Sequence, residues 1–213
     1  MKIHILVFAL ATLACLAPSI CAEPGSSPVN VLVDNALLDF EAKKFDEALT
    51  KLREAEKLDP NSPFILNLIG AAYTKKKDYP AAKSSFDKAL NADSRFFPAV
   101  FNLGELLFLQ KQYPQALEYF TQMLTADPGN ELIQFKVVLC LIQTNQMEDA
   151  KRLAARMKFP GESPAWYYSQ AALRLQEGDK RKAADLIANA QIFFPIKTSL
   201  FQETFEDLGW PAK

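Results

Sequence analysis

The chain has 213 residues, a net charge of −1 and a hydrophobic share of 49%. The balanced charge removes the electrostatic case for a nucleic-acid partner, and the apolar share is ample for a buried core. Glycine is scarce, Ala, Leu, Lys, Glu and Gln dominate, and alternating β-branched runs are few, so the composition favours helix.

In chain order, residues 1–22 read as a secretory signal. Lys2 gives a short positive start, Ile3–Leu16 is apolar, Pro18 breaks the run, and Ala22 is the small residue before the expected cut. The run is short for a membrane span. An uncleaved anchor is one alternative. Another is a lipid on Cys15, where "TLAC" resembles the bacterial lipoprotein box only in Ala14 and Cys15. Cleavage after Ala22 leaves Cys140 as the remaining cysteine and removes His4, the one histidine. The expected location is secreted or periplasmic. Residues 23–28 are expected to form a flexible leader.

From there one phrase recurs. "KKFDEALTKLREAEKLDP" begins at Lys43, "KDYPAAKSSFDKALNADS" at Lys77 and "KQYPQALEYFTQMLTADP" at Lys111, a spacing of 34 each time. A shortened copy starts at Asn145 and a fifth at Gly178. A fixed period in this range signals a stacked repeat array. Within each copy Ala48, Ala82, Ala116, Ala150 and Ala183 are equivalent. Four residues later stand Leu52, Phe86, Phe120, Ala154 and Ile187, and three later again Ala55, Ala89, Met123, Met157 and Ala190. These offsets return to one helix face, and its small residues admit a close neighbour. Pro80 and Pro114 suit a helix start, and Pro60, Pro128 and Pro195 follow its end.

The half-repeat before each phrase is a second helix. Leu66, Ile69, Gly70 and Tyr73 form its apolar stripe in one copy, and Val100, Leu103, Gly104 and Leu107 in the next. Mid-helix glycine costs about 1 kcal/mol relative to alanine, which a close helix crossing explains. Phe86, Phe120, Tyr73, Tyr79 and Tyr113 occupy packing positions and are expected in the core.

These offsets resemble those of the tetratricopeptide repeat family. The residues that carry the likeness include Leu66, Ile69-Gly70, Tyr73, Tyr79, Ala82, Phe86 and Ala89, and then Leu103-Gly104, Tyr113, Ala116, Phe120 and Pro128. The resemblance implies an all-α fold, an α-solenoid of about five helix–turn–helix repeats over residues 29–62, 63–96, 97–130, 131–163 and 164–196. Residues 197–213 then supply a capping helix and tail, with Thr198 or Ser199 at its start and Leu200, Phe201, Phe205 and Leu208 on its apolar side.

The resemblance also implies that the first helix of each pair lines an inner surface that receives a segment of a partner protein. The inner positions are Val33, Leu37 and Phe40, then Phe64 and Asn67, then Phe101, Glu105 and Phe108, then Phe135, Leu139 and Ile142, and finally Tyr168. Most are apolar, so these helices are apolar on two faces, and a second such face calls for cover. That cover is a partner's apolar or amphipathic segment, the tail helix, or a second copy in a self-associating structural subunit of an envelope complex. A family subclass clamps a C-terminal carboxylate with inward Lys, Asn and Arg. Asn67 and Asn102 are fragments of that set, but Val33 and Pro98 stand where basic residues are needed.

Catalytic chemistry lacks its residues. With the histidine removed there is no Ser-His or Cys-His pair, and one cysteine makes no zinc site. Cys140 sits at a small packing position. Glu148-Asp149 and Glu206-Asp207 are adjacent, so their carboxylates do not converge on one point. No enzyme activity, cofactor, metal, nucleic acid or small-molecule substrate is expected, and the expected partner is another protein.

Overall fold

The computed structural model describes residues 27–211. Among them, every repeat reverses direction through one residue in the left-handed backbone region: Lys43, Lys77, Lys111, Asn145 and Gly178, with φ from 59° to 81°. These are the first residues of the five copies of the phrase. Each ends one helix and is followed by the N-cap of the next.

The helices so delimited are α1 (Pro28–Glu41), α2 (Phe45–Leu58), α3 (Pro63–Lys75), α4 (Tyr79–Ala92), α5 (Phe97–Leu109), α6 (Tyr113–Ala126), α7 (Glu131–Gln143), α8 (Met147–Arg156), α9 (Ala165–Gln176), α10 (Lys180–Phe193) and α11 (Ser199–Asp207). The described residues contain no strand. The chain divides into two compact units at Leu106/Leu107. In the first, α1 packs on α2, α2 on α3 and α3 on α4. In the second, α6 packs on α7, α7 on α8 and α9, and α9 on α10. The fold is all-α, an α-solenoid type built of helix–turn–helix pairs with a terminal helix after the fifth. The signal and lipid-anchor readings concern residues outside 27–211. The expected leader overlaps the described part at Ser27 and Pro28, and Pro28 opens α1.

The three equivalent positions of the repeated phrase form the spine of each pair. All fifteen residues, from Ala48, Leu52 and Ala55 to Ala183, Ile187 and Ala190, are buried. The glycine at the crossing of α3 and α4 is needed for space. A Cβ on Gly70 would overlap the Phe86 ring, which is wholly buried. In the first unit Leu66, Ala89 and Ala99 make a core cluster with Leu90 and Phe96 against it. Tyr73, Tyr79 and Tyr113 are half-buried, whereas Phe86 and Phe120 are fully enclosed.

Caps set the helix starts. Ser62, Asp78, Asn130 and Asp179 accept from the backbone N–H of Ile65, Ala81, Ile133 and Lys182, at 3.0–3.5 Å. Lys44, Gln112 and Gln146 occupy N-cap positions without a side-chain bond. Thr198 takes the N-cap position of α11, and its side chain makes no capping bond.

The turns therefore carry different strain. Gly178-Asp179 supplies a residue at ease with positive φ and a capping carboxylate, whereas Lys43-Lys44 supplies neither. A side chain at positive φ costs about 1–2 kcal/mol, and a missing cap about 1 kcal/mol. After allowing for the extra unfolded-state freedom of glycine, Lys43→Gly with Lys44→Asp should stabilise the protein by about 1–2 kcal/mol. A raised urea midpoint checks this. In the opposite direction, Gly70→Ala should destabilise by about 1–3 kcal/mol, because Phe86 must leave its place. A thermal melt unchanged from the parent would contradict that.

Candidate functional site

The inner positions lie on the first helices of the pairs, of which α3, α7 and α9 are buried over most of their length, whereas α1 buries only Val33, Ala36 and Phe40. In the first unit Val33 and Phe40 of α1, Asn67 of α3, and Phe101 and Glu105 of α5 are buried, while Leu37 and Phe64 are half-buried. Asn102 Nδ2 donates to Asn67 Oδ1 at 2.8 Å in a buried setting. Asn67 is thereby engaged within the protein.

In the second unit Phe108, Phe135, Leu139, Ile142 and Tyr168 are all buried. The sequence left open whether this surface is open or filled by the tail. Here α11 lies on it. Phe201 meets Phe135 with ring centroids 4.8 Å apart and Tyr168 at 5.3 Å. Phe205 meets the same two rings at 6.3 and 5.1 Å. Leu200, Phe201, Thr204 and Phe205 are buried and Glu206 and Asp207 exposed, so the helix docks by the amphipathic face that its sequence displays. Leu208, expected on that face, is half-buried.

A buried lysine completes the seat. Lys136 of α7 retains only 1% of its surface. Its ammonium donates to Thr204 Oγ1 at 3.0 Å and stands 5.3 and 5.9 Å from the Phe108 and Phe135 ring centres. Thr204 passes its own proton donation to the Leu200 carbonyl at 2.9 Å. Hydrogen bonding and ring faces offset the cost of taking the cation out of water. The sequence reading passed over Lys136. Its signal was position: it is the one charge inside "LIQFKVVLCLIQ".

The Tyr168 hydroxyl is buried, and burial pushes its pKa well above the ordinary phenol range. Gln202 of α11 pulls slightly the other way. Cys140 is a buried free thiol on α7. A cavity of about 230 Å³ lies among Lys151, Ala155, Gln170, Leu173, Arg174 and Glu177. Its charges answer one another: Glu177 pairs with Arg174 at 2.6 Å and with Lys151 at 3.4 Å. The hydrogen bond from Arg174 holds the Glu177 carboxyl below its usual range. Among the described residues no cluster is suited to a metal ion, and no helix is long and apolar enough to cross a membrane. The seat of α11 is thus a surface for a helix, made of rings and a cation that donates to a hydroxyl of the docking helix.

Three family models match in succession, all of them described as tetratricopeptide repeats: residues 36–77, 72–131 and 107–173. Among curated proteins, Hsp70-Hsp90 organizing protein 2 of Arabidopsis thaliana is 28% identical over 107 residues, which is 50% of this chain and 19% of that protein. The chain spans about a fifth to a quarter of the curated relatives it matches first. Among solved structures, a tetratricopeptide repeat protein from Parabacteroides merdae aligns with a TM-score of 0.68 at 17% identity, covering 84% of this chain and 70% of that one. A thermophilic repeat protein of Thermus thermophilus aligns at 0.67 and 17%, covering 84% and 98%. At such identities these structures speak for the fold alone.

Because Tyr168 stays protonated in the folded state at a pH where the unfolded chain ionises, its contribution is intact below pH ~10 and is lost as pH rises further. The parent should therefore lose about 1 kcal/mol more stability between pH 8 and pH 11 than Tyr168→Phe does. Equal losses in urea titrations at the two pH values would show that the hydroxyl is not buried.

Proposed function

This chain belongs to the tetratricopeptide repeat family, and from that premise we propose that it is a non-catalytic binding scaffold whose inner helices receive an apolar or amphipathic segment of another protein. The observation that carries the reading is α11. The surface made by Phe135 and Tyr168 already takes an amphipathic helix, presenting Phe201, Thr204 and Phe205 at helical spacing. A partner segment of the same chemistry, with two aromatic or large aliphatic anchors and a hydroxyl between them, would fit the same seat. The likeness to a relative named for organising Hsp70 and Hsp90 supports protein binding as the general role. The reading assigns no chemical step. Export through residues 1–22, to a secreted or periplasmic location, is part of the same proposal, and N-terminal sequencing of the mature protein tests it.

Binding at this seat requires that α11 leave it. Its hold combines buried Leu200, Phe201 and Phe205 with the bond from Lys136 to Thr204, the ring contacts adding about 0.5–1.5 kcal/mol each beyond burial. That is within reach of a partner that buries more surface. Full-length protein carrying Phe201→Ser and Phe205→Ser should bind a fluorescent peptide of residues 197–211 at least ~tenfold more tightly than the parent does, read by anisotropy. Any protein cross-linked to this variant should be competed away by the same peptide. If the variant keeps the parent's helicity yet takes up no peptide, α11 is a fixed cap and the seat is no binding groove.

A further inference from the structure

The turns that join one repeat to the next change character along the chain. Asp59, Asp93 and Asp127 are the C-caps of α2, α4 and α6, and the C-cap of α10 is Phe194. Helix α8 is four residues shorter than α6, and Phe159 stands before Pro160 in the connection after it. Around these two turns lie the largest exposed apolar side chains of the second unit: Phe159 at 59%, Ile192 at 71%, Phe193 at 63% and Ile196 at 86%. They are joined through rings. Phe159 contacts Trp166 at 4.5 Å and Tyr167 at 5.7 Å, and Phe193 stacks on Tyr167 at 6.0 Å.

The turns are firmly built, so the exposure is not that of a loose loop. Glu131 accepts from the backbone N–H of Glu162 at 2.8 Å and from the Ser163 hydroxyl. Lys197 Nζ donates to the Glu162 carbonyl at 2.8 Å, tying the turn after α10 to the turn after α8. The exposed cations of these turns are Arg156, Lys158 and Lys197, and their carboxylates are Glu162, 4.0 Å from Lys158 Nζ, and the half-buried Glu131. The earlier turns carry aspartate where this edge carries aromatic and basic groups.

We propose that this edge of the second unit is a docking surface for a membrane face rich in anionic lipid. Protruding aromatic and aliphatic side chains interleaved with lysine and arginine are the combination that enters the headgroup boundary, the rings lying among the acyl chains and the cations among the phosphates. Charge complementarity selects this occupant over a second copy, since two such edges face to face would bring Arg156, Lys158 and Lys197 against their equals. An apolar patch of this kind on a built surface calls for cover.

The protein has two tryptophans, Trp166 within the patch and Trp210 packed on Phe205 at 5.3 Å. Trp210→Phe keeps a ring there and leaves Trp166 as the reporter of the edge, whatever residues 1–22 do. Brominated phosphatidylcholine vesicles containing phosphatidylglycerol should quench Trp166, and vesicles without phosphatidylglycerol should do so only weakly. Phe193→Ser with Ile196→Ser should weaken the partition at least ~tenfold, and Lys158→Glu, at an exposed position whose ion-pair contact with exposed Glu162 is 4.0 Å long, should weaken it severalfold with little change in melting temperature. Absence of quenching overturns the proposal, as does quenching that these variants leave intact. A concentration-dependent dimer in sedimentation, abolished by the serine variant and accompanied by no quenching, would overturn it in favour of a second copy.

Discussion

The close approach of two helices within each repeat is the constraint on which the rest depends. Alanine at the first phrase position, and glycine at Gly70 beneath the Phe86 ring, let the helices of a pair come together on a narrow face. A narrow face leaves the second helix free to be polar elsewhere, and α2, α4 and α6 bury only three or four of their 14 residues each. The first helix has no such freedom. It must meet its partner on one side and its neighbours on the other, and α7 buries every residue from Phe135 to Ile142. A first helix enclosed as α7 is cannot be left bare, so its inner face is covered by something amphipathic.

In the second unit that cover is α11, and the manner of its attachment sets what else would fit. A purely apolar seat would accept any greasy helix in several registers. Lys136 adds a polar contact at one point of the docking helix, where its ammonium donates to Thr204. A buried cation adds little to net stability, and its clearest physical effect is to penalise arrangements that leave it unmet.

The fold was legible because its determinants are local and periodic. Fifteen positions read from spacing alone are the fifteen buried spine positions, and the tail's apolar side, Leu200, Phe201 and Phe205, is the side that docks. What the tail docks on was not legible, since a helix apolar on two faces does not say which neighbour covers which. The left-handed turns were hidden by their chemistry: Lys43, Lys77 and Lys111 do not advertise positive φ, whereas Asn145 and Gly178 at the equivalent place do. Lys136 was passed over because a search for apolar stripes reads through a single charge.

The exposed aromatic edge escaped for a different reason, and the backbone explains it. The N–H of each C-cap residue Asp59, Asp93, Asp127 and Phe194 donates four residues back, at 2.9–3.0 Å. The carbonyl of each then accepts from the N–H three residues on, at 3.0–3.4 Å. Four turns thus share one conformation, and phenylalanine ends its helix as well as aspartate does. Aspartate has a local use there, since Asp93 Oδ1 accepts from the Arg95 N–H at 2.9 Å. Phe194 gives up that bond with no change in the turn. Helix termination therefore places no demand on the side chain, and periodicity, which detects only what the fold demands, is silent about it. Phe194 itself is half-buried against Tyr167, ring centres 6.2 Å apart, whereas its neighbours Phe193 and Ile196 stand exposed, so it is their departure toward apolar surface that the turn leaves unexplained.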